Sequence, residues 1–205
     1  MSEELPVRNE TLRSIRERHS VRVFSDAPVS DEDVRTILHA ANQAPSAHNE
    51  QSWRFIVLKG ERKQALARLV TAAAGRFPRA PAALLRMAAR SIAGAPVVVA
   101  VANSGDLIAR GPALFGVEEG PGRDFFRVME IQSSAAAVEN LLVAATSLGL
   151  ATVWLGVLVL VKDDVLRFLD EPRGEFMAVV PVGHTARPAA GPRKRPLETT
   201  VKTLE

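Results

Sequence analysis

Two short stretches hold most of the side chains able to do chemistry. In Arg18-His19-Ser20-Val21-Arg22-Val23-Phe24, two guanidinium groups four residues apart bracket a hydroxyl. Arginine offers a rigid planar fork of N–H donors, so this set suits a phosphate or the electron-rich carbonyl edge of a planar heterocycle. Two arginines taken alone, in an arginine-rich protein, are more often solvated surface. The second stretch is Ala44-Pro45-Ser46-Ala47-His48-Asn49-Glu50-Gln51-Ser52-Trp53-Arg54-Phe55. A helix broken at Pro45 and followed by small and amide residues leaves backbone groups, Ser46 and Asn49 free to bond the polar edge of a ligand. The plainer reading is a turn between helix and strand, with Trp53 filling the core.

Other chemistries find little support. Histidines stand at 19, 39, 48 and 184 without metal-ligand spacing, and His39 reads as a partly exposed helix residue; no metal site is expected. The absence of cysteine excludes thiol nucleophiles, disulfides, iron–sulfur clusters and Cys-containing zinc sites. No G-x-S-x-G, G-x-G-x-x-G or P-loop motif occurs. Glu118-Glu119 and Asp163-Asp164 read as a solvated loop and a favourably charged helix start.

The elements that must position these residues follow from periodicity. Thr11 to Arg18, with Leu12 and Ile15 three apart, predicts a short amphipathic helix ending near His19. The extended chain beyond it would turn Ser20 and Arg22 to one side and Val21 and Val23 to the core. Ser30 with Asp33 forms a capping box for a helix carrying Val34, Ile37, Leu38 and Ala41 and stopping near Pro45. Trp53 to Leu58, Pro96 to Ala102, Ala151 to Leu155 and Glu175 to Val182 read as strands, the second buried on both faces. Glu61 to Ala74, Pro81 to Ile92, Asp124 to Leu148 and Asp163 to Leu169 read as helices. Ser104 to Gly122, rich in Gly and Pro, reads as a loop or mobile lid. The tail looks like an extended arm that is either disordered or laid across another subunit. Strands and helices in no strict alternation argue for an α+β layered domain.

The 205 residues allow one domain, 1–205, with a lid or insertion at about 76–127 and an arm at about 186–205. With 47% hydrophobic and 24% charged residues the balance is globular. A net charge of +3 suits an anionic ligand as well as DNA. Tyrosine is absent and aromatics make up only 5%, which leaves little for a nucleic-acid stacking platform. A basic nucleic-acid-binding protein is therefore a distant alternative, and no nucleic acid partner is expected. The N-terminus lacks the features of a signal peptide and the apolar runs are too short to span a bilayer, so a cytoplasmic protein without membrane contact is expected.

Together the motifs carry a family resemblance. R-H-S-V-R-x-F, P-V-S before an acidic helix start, A-P-S-A-H-N-E-Q-S-W-R-F, N-L-L-V-A-A-T-S-L-G-L-A-T-V-W-L-G at 140–156, V-V-P-V-G-H at 179–184 and Arg193-Lys194-Arg195-Pro196-Leu197 occur in order. This series resembles the FMN-dependent nitroreductase family over residues 10–200. The resemblance implies an α+β fold with a central, mostly antiparallel sheet flanked by helices, in an intertwined homodimer with FMN at the interface. It implies that Arg18, His19, Ser20 and Arg22 bind the cofactor, the phosphate, ribityl chain and pyrimidine edge being met by Arg18, Ser20 and Arg22. Arg193 and Arg195 would close on the phosphate, Pro45, Ser46 and Asn49 would reach the flavin from the partner subunit, and Leu155-Gly156 would lie beside the ring. Ser52 departs from the family's pattern, where proline is usual, and Arg86 or Arg90 would have to replace an Asn and a Lys without clear counterparts.

The activity implied is ping-pong transfer from NADH or NADPH through FMN to a nitroaromatic, quinone or similar small acceptor. Arg22 is the catalytic candidate, placing positive charge where reduction builds negative charge. Arginines and phenylalanines of the lid suggest an anionic or nitroaromatic acceptor, or merely a solvated basic surface over an apolar plug. Within the same fold the alternatives are oxygen-dependent flavin fragmentation, a deiodinase-like activity, or non-catalytic flavin storage.

Overall fold

The structure is a computed structural model, and it describes residues 5–171, 174–187 and 190–204. Four strands form one sheet in the order β1-β2-β4-β3, every neighbouring pair antiparallel: β1 is Trp53–Leu58, β2 Val97–Asn103, β3 Ala151–Thr152 and β4 Glu175–Gly183. All seven residues of β2 are buried, as its unbroken apolar run predicts. Alternation divides them between two helical layers. Val98, Ala100 and Ala102 pack with α3 (Gly60–Ala74) and α4 (Arg79–Gly94) through Leu66, Val70, Leu85 and Ile92. Val97, Val99 and Val101 pack on the opposite face with α2 (Asp31–Asn42) and α6 (Glu119–Ser147) through Ile37, Val138 and Leu141. The β2–β4 register slips at Val101/Ala102, as at a β-bulge.

Local signals account for the element starts. Asn9 caps α1 (Glu10–Glu17) by accepting from the Leu12 N–H at 2.9 Å. Ser30 caps α2 by accepting from the Asp33 N–H at 2.9 Å, and its hydroxyl donates back to the Asp33 carboxylate at 2.7 Å. The short helix α7 spans Lys162–Phe168 and follows a 3-10 turn at Gly156–Val161.

Three expectations are corrected. Ser104 to Gly122 is not a loop: Asp106–Phe115 forms helix α5, and α6 begins at Glu119, five residues ahead of the expected Asp124. The glycine at 111 that breaks the helical pattern in the sequence is a packing device, because the ring of Phe126 on α6 occupies the space a side chain there would need. Val23 does not face the core but is 64% exposed. The stretch from Ser20 to Ser25 is pinned by isolated bridges rather than a regular ladder, so strict alternation lapses and Phe24 is the residue that enters the core. The third strand is also shorter than expected, Ala151–Thr152, only one further backbone bond, Leu155 N–H to Val179 O, following it along β4. Among the described residues, no helix is long and apolar enough to cross a membrane.

Candidate functional site

The first cluster lies along the β3 edge of the sheet. Arg18 ends α1, its N–H bonding Ser14 O at 2.9 Å. Beyond it the backbone is held on three sides. The Val21 N–H donates to Thr152 O on β3 at 2.9 Å, and the Ser25 N–H donates to His184 O, just past β4, at 2.9 Å. The Ser91 hydroxyl on α4 donates to Arg22 O at 3.1 Å. The side chains contrast with this tethered backbone. Among the described residues those of Ser20 and Arg22 make no hydrogen bond or ion pair, and Arg18 makes one, from Nε to Glu139 Oε1 on α6 at 3.5 Å. The terminal N–H groups of the Arg18 fork are left for a ligand. A fixed backbone presenting uncommitted cationic and hydroxyl groups is the arrangement a bound anion needs.

Two further stretches reach the same edge. Thr152 bridges Ser20, and three residues later the buried Leu155 donates its N–H to Val179 O on β4 at 3.0 Å, followed by exposed Gly156. From the tail, Gly191 comes so close to His19 that an added Cβ would stand 2.8 Å from the His19 Cβ. Arg193 and Arg195, exposed, follow two and four residues later. The described part of the arm, 190–204, is irregular apart from a 3-10 turn at Leu197–Thr199, as its composition predicts. The structure thus brings Arg18, His19, Ser20, Arg22, Leu155, Gly156 and the start of the basic arm to one edge. Arg90, a suggested substitute contact, lines a groove of about 410 Å³ between α3 and α4.

The second cluster is a strained turn. Ser46 precedes a 3-10 turn at Ala47–Asn49, and His48, Asn49 and Gln51 all have positive φ, at 52°, 56° and 49°. Non-glycine residues in this region cost on the order of 1 kcal/mol or more each and persist where the surroundings hold them. Here Ser46 Oγ accepts from the Gln51 N–H at 3.0 Å, Gln51 Nε2 donates to Asn49 Oδ1 at 2.9 Å, and the Ala47 N–H donates to Ser133 Oγ on α6 at 3.0 Å. Helix α5 closes the turn from outside, with Arg110 paired to Glu50 and the Phe115 ring 4.8 Å from that of His48. Pro45 and Asn49 stay exposed, and Asn49 keeps its amide N–H groups free among the described residues.

Both clusters hang from α6, by Glu139 and Ser133. Six residues separate these anchors, about 9 Å along the axis and on different sides of the helix. Among the described residues no hydrogen bond, ion pair or ring contact joins Arg18–Arg22 to Ser46–Gln51 within the chain.

Several partners were not legible from the motifs. Glu139 belongs to none of the motifs. Glu130, Asn103, Ser134 and Ser52 form a buried polar group beneath the second cluster, and Glu130 is only 1% exposed. The signal for Glu130 was present: it shares the helical spacing of Phe126, Ala137 and Leu141, so a carboxylate falls on the apolar stripe. The basic character of α5 and of the start of α6 is also cancelled. Arg110, Arg123 and Arg127 pair with Glu50, Glu119 and Glu175, and the Glu175 carboxylate raises the Arg127 pKa further. What α5 and α6 leave exposed is apolar: Leu114, Phe115, Val117, Phe125 and Val128. Among the described residues no three His, Asp or Glu side chains group to hold a metal ion.

The chain is similar to known proteins in sequence and in fold. The model of the Nitroreductase family matches residues 15–184. A protein of Archaeoglobus fulgidus, provisionally named an NADH dehydrogenase/NAD(P)H nitroreductase, is 34% identical over 72% of this chain and 68% of its own length. The nitrobenzene nitroreductase of Ectopseudomonas oleovorans is 46% identical over a shorter segment, 34% of this chain and 30% of that enzyme. Among solved structures, a nitroreductase with bound FMN from Desulfitobacterium hafniense superposes with a TM-score of 0.73 at 25% identity, covering 97% of this chain and 100% of that one. With the family model spanning the end of α1 through β4 and the fold shared, this chain belongs to the nitroreductase family.

Proposed function

We propose that the protein is an FMN-dependent oxidoreductase that takes electrons from NADH or NADPH and passes them to a small acceptor, a nitroaromatic or quinone, by a ping-pong cycle. The observation that carries this reading is the β3 edge, where Ser20 and Arg22 present uncommitted side chains on a tethered backbone, Arg18 is held to Glu139 through Nε alone, and the tail returns to His19. That edge fits a ligand with an anionic end and a polar heterocycle, as FMN has. Bound FMN supplies the hydride acceptance and the onward electron transfer.

The chain's residues then bind, orient and bias. Arg18, Arg193 and Arg195 neutralise the phosphate, and Ser20 donates to the ribityl or phosphate oxygens. Arg22 places fixed positive charge at the pyrimidine edge, where negative charge develops on reduction. Leu155 and Gly156 lie beside the ring, glycine leaving its face open. The second cluster, which among the described residues no hydrogen bond, ion pair or ring contact joins to the first within one chain, contributes Pro45, Ser46 and Asn49 to the site of a second copy, which makes the active form a homodimer. With its arginines tied in ion pairs, the surface of α5 and α6 favours a flat apolar acceptor over an anionic one.

The test is spectroscopic. The purified protein should carry the visible absorption bands of flavin or take up added FMN. Under anaerobic conditions NADH or NADPH should bleach these bands, and a nitroaromatic should restore them. A colourless protein that refuses FMN ends the reading; bleaching slower than any plausible turnover leaves a flavin store instead of a reductase.

A further inference from the structure

Beneath the strained turn, Glu130 sits on the buried face of α6, where apolar residues are expected. One carboxylate oxygen, Oε2, accepts from the Ser52 hydroxyl and from Asn103 Nδ2. Asn103 Nδ2 also lies 3.0 Å from Ser52 Oγ and 2.9 Å from Ser134 Oγ, while its Oδ1 accepts from the Gly105 N–H at 2.8 Å. The Ser52 carbonyl accepts from the Ser104 N–H at 2.8 Å. Oε1 is buried and has no hydrogen-bond partner among the described residues. No cation pairs with this carboxylate among them either.

Such a group is a poor choice for stability alone. Burying a carboxylate without a cation is costly, and apolar replacements of buried charges are often neutral or stabilising. Its connections point elsewhere. Ser52 directly follows Gln51, the last positive-φ residue of the turn, and stands where the resembling motif has proline, which could donate nothing. Asn103 and Ser104 lead straight into α5, whose Arg110 and Phe115 close over the turn. One carboxylate oxygen therefore ties the turn, the ends of β1 and β2, the root of α5 and α6 to a common point.

We propose that Glu130 is a positioning residue: through Ser52 and Asn103 it sets the Ser46–Gln51 turn against α5, fixing the groups that face the flavin. This rests on the reading of that turn as flavin-facing. The experiment compares the full-length wild type with Glu130→Leu/Ser52→Ala and with Glu130→Gln. The measurements are thermal midpoint, residue-resolved amide exchange, FMN affinity and the visible spectrum of bound flavin. In the double variant the midpoint stays near wild type, while exchange at 46–51 and 104–109 accelerates about tenfold or more relative to α3 and α4. FMN binds about tenfold more weakly, with shifted visible bands. Glu130→Gln recovers most of both losses, because its amide oxygen still accepts from Ser52 and Asn103. Should the double variant fail to fold, Ser52→Ala alone, which cuts one link and keeps the carboxylate, decides by the same readouts. Unchanged exchange in the turn overturns the proposal, as does faster exchange with unaltered FMN affinity, or a uniform loss of protection that tracks the midpoint. If the wild type binds no FMN, the functional reading falls, and the exchange pattern still decides whether Glu130 holds the turn.

Discussion

Gly191 rests directly against His19, at a separation that leaves no room for a Cβ, so the C-terminal arm returns to the first cluster just before its basic residues. Any side chain at 191 must push the arm away and carry Arg193 and Arg195 with it. Gly191→Val should weaken FMN binding about tenfold, the loss of roughly one charge-assisted hydrogen bond. Riboflavin, which lacks the phosphate, should bind wild type and variant alike. Equal losses for both ligands, measured by fluorescence titration, would show that the arm does not serve the phosphate.

Arg22 should act on the chemistry more than on retention. Its carbonyl is fixed by Ser91 on α4 and its guanidinium has no partner among the described residues. Removing a charge-assisted hydrogen bond of about 1.5 to 3 kcal/mol from the reduced state corresponds to roughly 30 to 65 mV for a two-electron couple. Arg22→Ala should lower the flavin potential by that amount and slow hydride transfer about tenfold or more, with a smaller change in FMN affinity. A variant with wild-type potential and stopped-flow rate would remove Arg22 from this role.

The helical layer under the clusters should be sensitive to cavities. Leu141 is fully buried where α6 meets α2 and the sheet, on the helix that anchors both clusters. Leu141→Ala should cost about 2 to 5 kcal/mol in urea unfolding. Leu148→Ala, at the end of the same helix and 39% exposed, should cost far less. Comparable losses at the two positions would contradict this core assignment.

The parts legible in the sequence are those whose signals are local. The unbroken apolar run of β2, the capping box at Ser30 and the helical spacing of Leu66, Leu69 and Val70 all predict the elements found. The chemistry-bearing stretches were legible because arginines, a hydroxyl and amides cluster where helices break. What escaped depends on partners distant in the chain. Gly111 reads as a helix breaker until Phe126 is seen to fill its empty side. Val23 reads as a core residue until Phe24 takes the place. Arg110, Arg123 and Arg127 read as a basic surface until Glu50, Glu119 and Glu175 are found beside them, and of these only Glu119 lies within the lid's own sequence.

Asp164 supplies a pH-dependent link between the two helices that follow the clusters on the α3 side of the sheet. Its carboxylate bonds Arg76, just past α3, and Arg167, within α7. The Arg76 hydrogen bond is the main cause that holds the Asp164 pKa below its ordinary 3.8, against a smaller opposing effect of burial. Between the depressed folded value and 3.8 the unfolded chain binds more protons, so the contribution is complete above 3.8 and is lost as pH falls through the folded value. Both arginines are more than half exposed, so solvent screens the pair and its contribution at neutral pH is small. Asp164→Asn should therefore lower the thermal midpoint slightly at pH 7, less so at high salt, and the difference from wild type should vanish in strong acid. A midpoint difference that persists unchanged well below the folded-state pKa would mean that the side chain stabilises α7 by packing and not by charge.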